Sequence, residues 1–409
     1  KYSQYVAFPQ RNGHYGHEKK RGATSTLMPP KPVSRRFESA IIRVMPLPAA
    51  SKCPVVPLLL LVLLPLVGGG PQRAIAQSPE ANGDAPTMQT LSDDRNTLIL
   101  EPESPPARTV ADGVYLVLGI VFVIFLLVFV PLTWMLFRFR MQKEDEGVEP
   151  PQIYGSNPIE LAWTVGPAII VLVLFLVTAR SIFEIEAAVP PADAVRVRVI
   201  GHQWWWEYEY PEYGFITANE LHAPLAKDGT PRPVYVDLES ADVIHSFWLP
   251  QLSGKTDVIP GRVNHLWFAA ERPGWFTGQC AEYCGTQHAH MWLRVKAESD
   301  QDFRAWVKNE QRDAVNDPAT LEGRRLFMEN ACANCHTIRG TTAAGKFAPD
   351  LTHLMSRKTI ASGIVPNTRE YLLQWIRDPQ TLKVGCNMPD MKLTNHEVKT
   401  IVDYLLTLK

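Results

Sequence analysis

The apolar residues of this chain fall first into unbroken runs, then into short alternating segments, and finally into stretches of helical period. From Cys53 to Gln72 there is no charge; the run Val55 to Val67 follows Lys52, stops at Gly68-Gly69-Gly70-Pro71 and precedes an Ala74-Ile75-Ala76 cleavage pattern. That layout predicts a secretory signal peptide over 45–76, with a start at Met45 and a mature chain near Gln77. The rival reading, an uncleaved third membrane helix, would be broken by Pro57 and Pro65. Residues 1–44 open on Lys, are rich in basic residues and Pro, and lack apolar periodicity, so they are expected to be a non-functional upstream extension.

Gly113 to Phe137 gives 25 uncharged residues and Leu161 to Ala179 gives 19. At about 1.5 Å per residue each crosses a hydrocarbon core of about 30 Å, so a two-helix transmembrane hairpin is expected over 111–183. Arg138, Arg140 and Lys143 follow the first run directly, which places the connecting loop in the cytoplasm and everything after Ser181 outside it. The Pro- and Ser-containing stretch 77–110 reads as a flexible tether.

Beyond the hairpin the period becomes two, as in Val195-Arg196-Val197-Arg198-Val199, Val234-Tyr235-Val236-Asp237-Leu238 and Leu293-Arg294-Val295-Lys296-Ala297. Turn pairs Asp228-Gly229, Pro260-Gly261 and Pro273-Gly274 separate such segments, and an antiparallel all-β sandwich or barrel is expected over 190–299. A polar, helical linker over 300–318 leads to a small all-α domain over 319–409. The 409 residues thus divide into several domains, and a formal net charge of -1 gives no reason to expect nucleic acid as a partner.

Chemistry enters with the cysteines. Cys280 and Cys284 form one close pair and Cys332 and Cys335 another, both beside histidines, while Cys53 and Cys386 stand alone. The segment CAEYCGTQHAHM gathers Cys280, Cys284, His288 and Met291 within twelve residues, and DVIHSFWLP brings His245. Thiolate, imidazole and thioether together favour copper, and two nearby thiolates can bridge two copper ions, each completed by a histidine and a weak ligand. A zinc site or a disulfide would use neither the methionine nor the distant histidine.

NELHAP (219–224), DVIHSFWLPQLSGKTDVIPGR (242–262) and the cysteine segment resemble cytochrome c oxidase subunit II, a likeness that spans 111–297. The resemblance implies a cupredoxin-like Greek-key domain holding a dinuclear copper centre on the side chains of His245, Cys280, Cys284, His288 and Met291 and the backbone carbonyl of Glu282. It leaves His290 outside the ligand set and gives the Glu282 side chain a magnesium ion shared with subunit I. It also makes Trp204, within Gly201-His202-Gln203-Trp204-Trp205-Trp206-Glu207-Tyr208, the electron-entry residue. Three successive tryptophans in an alternating strand cannot all face one core, so at least one is expected to be exposed or interfacial, with His202, His222 and His265 structural. Glu160, in the first turn of the second membrane helix, suits the helix dipole and matches the family's glutamate at a proton-uptake entrance.

Cys332-Ala333-Asn334-Cys335-His336 is a C-x-x-C-H signature, which attaches haem c through two thioethers and gives its iron an imidazole. VGCNMPDMKLT offers Met388 and Met391 as the opposite ligand. The segment 321–409 resembles the c-type cytochrome domain fused to subunit II in caa-type oxidases, which implies Met388, leaves Met391 to packing, and gives the Pro349 carbonyl the proton of the haem histidine. Cys386 departs from that pattern and reads as a small buried hydrophobe. Helices are expected after Asn367-Thr368-Arg369-Glu370 and after the capping box Thr394 to Glu397.

The expected function is electron input to a respiratory terminal oxidase of a bacterial inner membrane. Electrons would enter at the haem, pass to the copper centre and reach the haem-copper oxygen site of subunit I, coupled to proton pumping. Partners would be subunits I and III, an upstream cytochrome c or other periplasmic donor, and membrane lipid; the chain itself carries no oxygen site. The alternatives are the input subunit of a copper-containing nitric oxide reductase, for which two-copper domains are also known, and a membrane-anchored electron carrier, which would need no more than one anchor.

Overall fold

The computed structural model describes residues 98–141, 147, 149, 152, 154–186, 194–225 and 232–409. The expected extension, the signal peptide and most of the tether, with Cys53, lie outside the described residues.

Helix α1 (Pro105–Arg138) and helix α2 (Asn157–Glu186) form the hairpin, and both are long and apolar enough to cross a membrane. Their large apolar side chains, among them Phe122, Phe129, Leu161 and Phe175, are exposed all round, as lipid-facing helices require. The tether expectation over 77–110 needs correcting at its end, because residues 105–110 are helical. The fixed φ and missing N–H of Pro105 and Pro106 suit the first helical positions. Just before them the chain is pinned: the Glu103 N–H donates to the Gln251 carbonyl (2.8 Å), and the Ala269 N–H donates to Ser104 Oγ (3.0 Å).

The next domain is a sandwich of two five-stranded sheets. One carries, in spatial order, β3 (Phe215–Ala218), β2 (Trp205–Tyr210), β1 (Val195–His202), β5 (Val234–Ser240) and β8 (Asn264–Phe268). The other carries β4 (Glu220–Pro224), β10 (Trp292–Glu298), β9 (Gly274–Cys280), β6 (His245–Trp248) and β7 (Lys255–Val258). The three alternating segments named above lie in β1, β5 and β10, with their valines and leucines facing a shared core of Trp206, Tyr208, Phe247, Phe268 and Phe276. The sandwich is not purely antiparallel, since β1 runs parallel to β5 and β4 parallel to β10. The chain leaves one sheet for the other between those partners, a crossover that local periodicity does not encode.

The stretch 300–318 is more than a linker. Helix α3 (Asp300–Glu310), capped by Ser299 accepting from the Asp302 N–H, packs Phe303, Trp306 and Val307 onto the sandwich core. Trp306 stacks on His222 at 4.1 Å, and His222 pairs with Glu298 at 2.6 Å, so His222 is structural. The C-terminal domain follows with α4 (Leu321–Glu329), the single turn α5 (Cys332–Cys335), the hairpin β11 (Thr359–Ile360) and β12 (Val365–Pro366), α6 (Arg369–Arg377) and α7 (Asn395–Leu405). The Thr394–Glu397 capping box forms in both directions. Where α4 crosses α7, a Cβ on Gly323 would lie 2.2 Å from the Thr400 carbonyl oxygen, so only glycine permits that approach.

Candidate metal and haem centres

The sandwich brings its sulfur and nitrogen donors to one end. Strand β6 opens on His245, β9 closes on Cys280, and the two strands pair through Phe247 opposite Cys280. The intervening loop returns through a short 3-10 helix, His288–His290, and the Cys280 N–H donates to the Met291 carbonyl (3.0 Å), which sets Met291 beside the cysteine. The Cys280 and Cys284 sulfurs lie 3.7 Å apart and form no disulfide. His245 Nδ1 lies 3.9 Å from Cys280 Sγ, His288 Nδ1 3.6 Å from Cys284 Sγ, Met291 Sδ 3.8 Å from Cys284 Sγ, and the Glu282 carbonyl oxygen 3.2 Å from Cys280 Sγ. His245, Cys280, Cys284 and Met291 are buried, while the Glu282 side chain is exposed.

Two anionic sulfurs this close repel unless a cation lies between them. The hydrogen bond joining the sulfurs pulls Cys280 down to about 3 and, with burial, pushes Cys284 far up. A thioether in a dry pocket of thiols and imidazoles suits a soft metal better than zinc. His290 faces elsewhere: it is exposed and its Nδ1 bonds to Gln287 Oε1 at 2.9 Å.

Asp242 is a site residue that sequence reasoning missed. Its Oδ1 lies 2.8 Å from His245 Nε2, which turns Nδ1 toward the sulfurs and fixes the tautomer. Burial opposes charge on His245, yet Asp242 and Cys280 raise it above the usual imidazole range. An acid three residues before a histidine in DVIH was the available signal.

Trp204 does not belong to the alternating strand. It sits in the turn between β1 and β2, half-buried, whereas Trp205 and Trp206 are buried within β2. The Trp204 indole N–H donates to the Cys284 carbonyl at 2.9 Å, and Gln203 Nε2 donates to the same oxygen at 2.8 Å. Gly285, at φ +116, lets the indole close on the loop, because a Cβ there would lie 2.9 Å from Trp204 Cζ2. His202 stacks on Trp205 at 4.3 Å, and His265 pairs with Asp237 at 2.7 Å, both structural contacts.

In the C-terminal domain one turn of helix presents Cys332 and Cys335, both half-buried, with His336 directly after. His336 Nδ1 donates to the Pro349 carbonyl at 2.7 Å, which leaves Nε2 free as a ligand, and burial keeps the ring neutral as iron binding requires. Beside it Arg357 is buried, and among the described residues its Nε has no partner, a donor that an acidic group on a bound ring would satisfy. These residues fit a haem. Met388 and Met391 are both half-buried; Gln380 Nε2 donates to the Cys386 and Met388 carbonyls at 3.0 Å each and so shapes the Met388 loop. Burial pushes the Cys386 thiol up, and its sulfur lies 3.3 Å from Gln380 Nε2. Glu160 lies in the first turn of α2, where its Oε1 accepts from the Ser156 N–H at 3.3 Å.

Three family models match the chain: the transmembrane domain of cytochrome c oxidase subunit II over 99–181, its periplasmic domain over 229–298, and cytochrome c over 321–409. The cytochrome c oxidase subunit 2 of Alkalihalophilus pseudofirmus is 34% identical over 324 residues, which cover 77% of this chain and 92% of the relative. This chain belongs to the cytochrome c oxidase subunit II family. The subunit 2 of Bacillus sp. PS3 is 35% identical over 291 residues, 66% of this chain and 80% of that one. The crystal structure of the periplasmic domain of subunit II of Bradyrhizobium japonicum cytochrome oxidase aligns at 33% identity and a TM-score of 0.28, covering 30% of this chain and 97% of that one. The chain is therefore a membrane-anchored electron-input subunit of a haem-copper terminal oxidase. It has a copper-binding cupredoxin-like domain and a haem-binding cytochrome c domain, and it works with other oxidase subunits and a cytochrome c donor.

Proposed function

We propose that this subunit is a two-station relay, with a covalent haem c on Cys332, Cys335, His336 and Met388 and a dinuclear copper centre on His245, Cys280, Glu282, Cys284, His288 and Met291. When bound, these groups supply reversible one-electron chemistry, which carries electrons from an external donor toward the oxygen site of subunit I, where reduction is coupled to proton pumping. Everything else falls to the chain. Asp242 holds the His245 tautomer, Pro349 holds that of His336, and burial of His245, Cys280, Cys284 and Met291 keeps water from the copper donors. The exposed Glu282 carboxylate faces outward for a magnesium ion shared with subunit I, and Glu160 stands at a proton-uptake entrance at the cytoplasmic face. Subunits I and III and bilayer lipid surround the hairpin of an inner membrane, and both redox domains lie on the periplasmic side.

The observation that carries this reading is the double attachment of Trp204. Its indole donates to the carbonyl of Cys284, while its own carbonyl accepts from Ser362 Oγ (2.6 Å) and Lys383 Nζ (2.7 Å) of the cytochrome domain. One residue joins the two stations. Trp204→Phe, which keeps a ring and loses the N–H, is expected to slow haem-to-copper electron transfer by roughly tenfold or more, with the optical spectra of both centres unchanged. Stopped-flow reduction of the purified oxidase measures it, and a wild-type rate in the variant would remove Trp204 from the route.

Asp242→Asn is expected to weaken copper retention by about 10- to 100-fold, the usual cost of losing the partner of a ligating histidine. Competition with a copper chelator reads this, and an unchanged affinity would separate Asp242 from the site.

A further inference from the structure

The cytochrome and copper domains exchange buried charges. Lys383 of the cytochrome is only 3% exposed, and its Nζ reaches the carbonyls of Trp204 (2.7 Å), His290 (3.1 Å) and Ala361 (3.3 Å) and the hydroxyl of Ser362 (2.9 Å). Among the described residues it forms no ion pair. In the opposite direction Glu220 of β4, 2% exposed, accepts from the N–H of Lys358 and Thr359 (2.8 Å each) and from Thr359 Oγ1 (2.6 Å). Around these two points Asn387 Nδ2 donates to the Gln203 carbonyl (2.8 Å), Gln287 Nε2 to the Val384 carbonyl (2.5 Å) and the Trp292 N–H to the Ser362 carbonyl (3.2 Å). Even the seven residues Gln311 to Asp317 between α3 and the cytochrome are held, by Gln311 Nε2 donating to the Tyr213 carbonyl and the Ala314 N–H donating to the Arg339 carbonyl.

We propose that the fused cytochrome is a fixed donor and not a swinging one, and that Lys383 and Glu220 are the positioning residues that lock it to the copper domain in a single register. The proposal rests on the two-station reading above and adds how the stations are held. A buried charge contributes little net attraction, but it penalises every arrangement that leaves it unmatched. Of the four acceptors around Lys383 Nζ only those of Ala361 and Ser362 belong to the cytochrome, so its three N–H groups are all matched only when the copper domain supplies the Trp204 or His290 carbonyl. Glu220 finds its three donors only at the start of β11. Sliding or rotating the cytochrome by one residue strands both charges. Burial pulls the Lys383 ammonium down to about 7, and the neutral amine formed above that pH keeps two N–H donors for these acceptors, so it too is left unmatched when the cytochrome shifts. Because the cytochrome covers the Trp204 turn, an external donor must dock on the cytochrome and not on the copper domain.

The test uses the purified oxidase in detergent with its oxygen site blocked by cyanide, and a photoexcited ruthenium complex that injects one electron into the haem. In the wild type, transfer from haem to copper is expected as one phase, independent of glycerol viscosity and ionic strength. Lys383→Met and Glu220→Gln are each expected to slow it several-fold or more, because tunnelling falls steeply as the separation grows, and to make it depend on viscosity, with both optical spectra intact. Should Lys383→Met disturb the copper spectrum through Trp204, Glu220→Gln, at the other contact, decides the matter. A wild-type rate that falls with viscosity, or two variants that transfer as fast as the wild type, overturns the lock. Absence of any haem-to-copper transfer in the wild type would instead defeat the two-station reading itself.

Discussion

His288→Ala abolishes the near-infrared absorption of the copper centre and cuts cytochrome-driven oxygen uptake by about 100-fold or more, as loss of a metal ligand exceeds loss of its hydrogen-bond partner; His290→Ala leaves both intact. The two histidines stand two residues apart on one short 3-10 helix, whose turn of three residues sends their rings in different directions. His288 Nδ1 points at Cys284 Sγ from 3.6 Å, whereas His290 is exposed and bonded to Gln287. The His290 contribution to the neighbourhood is its backbone carbonyl, which accepts from Lys383 and survives the substitution. Optical spectra and oxygen electrode traces of the two variants check the assignment, and the reverse pattern would exchange the two residues.

Met388→Ala removes the Met-to-iron charge-transfer band and lowers the haem potential, on the order of 0.1 V or more out of the roughly 0.8 V that axial ligands command. For a one-electron couple about 59 mV is tenfold in equilibrium, so electron acceptance from the external donor drops by more than about tenfold. Met391→Ala keeps the band and the potential. The reason lies in the loop before the methionine, where Gln380 donates to the carbonyls of Cys386 and Met388 and accepts from the Gly385 N–H, which fixes the backbone that carries the Met388 side chain. Absorbance and a redox titration distinguish the residues, and a band that persists in Met388→Ala assigns the ligand to Met391.

Features that depend on short stretches of chain were legible in the sequence. The two apolar runs gave the hairpin, period-two segments gave β1, β5 and β10, and the Thr394 to Glu397 pattern gave the N-terminus of α7. The proposed copper donors can be picked out along the chain because five of them fall within twelve residues and the sixth, His245, opens a strand. Residues whose roles come from distant contacts were not. Asp242 acts only once β6 sets His245 against Cys280, 35 positions away. Lys383 finds the Trp204 carbonyl across 179 positions, and Glu220 finds Thr359 across 139. Trp204 left the expected strand because the turn between β1 and β2 takes it out of register, and no alternation in a run of three tryptophans marks which one turns.

The same contrast explains α3 and the parallel strand pairs. The helical period of 300–310 is readable, but its packing of Phe303 and Trp306 on the sandwich depends on a surface made by residues far earlier in the chain. Antiparallel order is the default for strands joined by short turns, and only the crossing between sheets makes β1 and β5 parallel.

We propose that this chain delivers electrons and leaves the reduction of oxygen to its partner. Isolation of the complex from native membranes through this subunit, followed by identification of the co-purifying large subunit and its haems, tests it most directly. The expected result is a partner with its own haem-copper oxygen site and a complex that consumes oxygen when supplied with reduced cytochrome c. A large subunit without that site, or a complex that reduces nitric oxide and not oxygen, would contradict it.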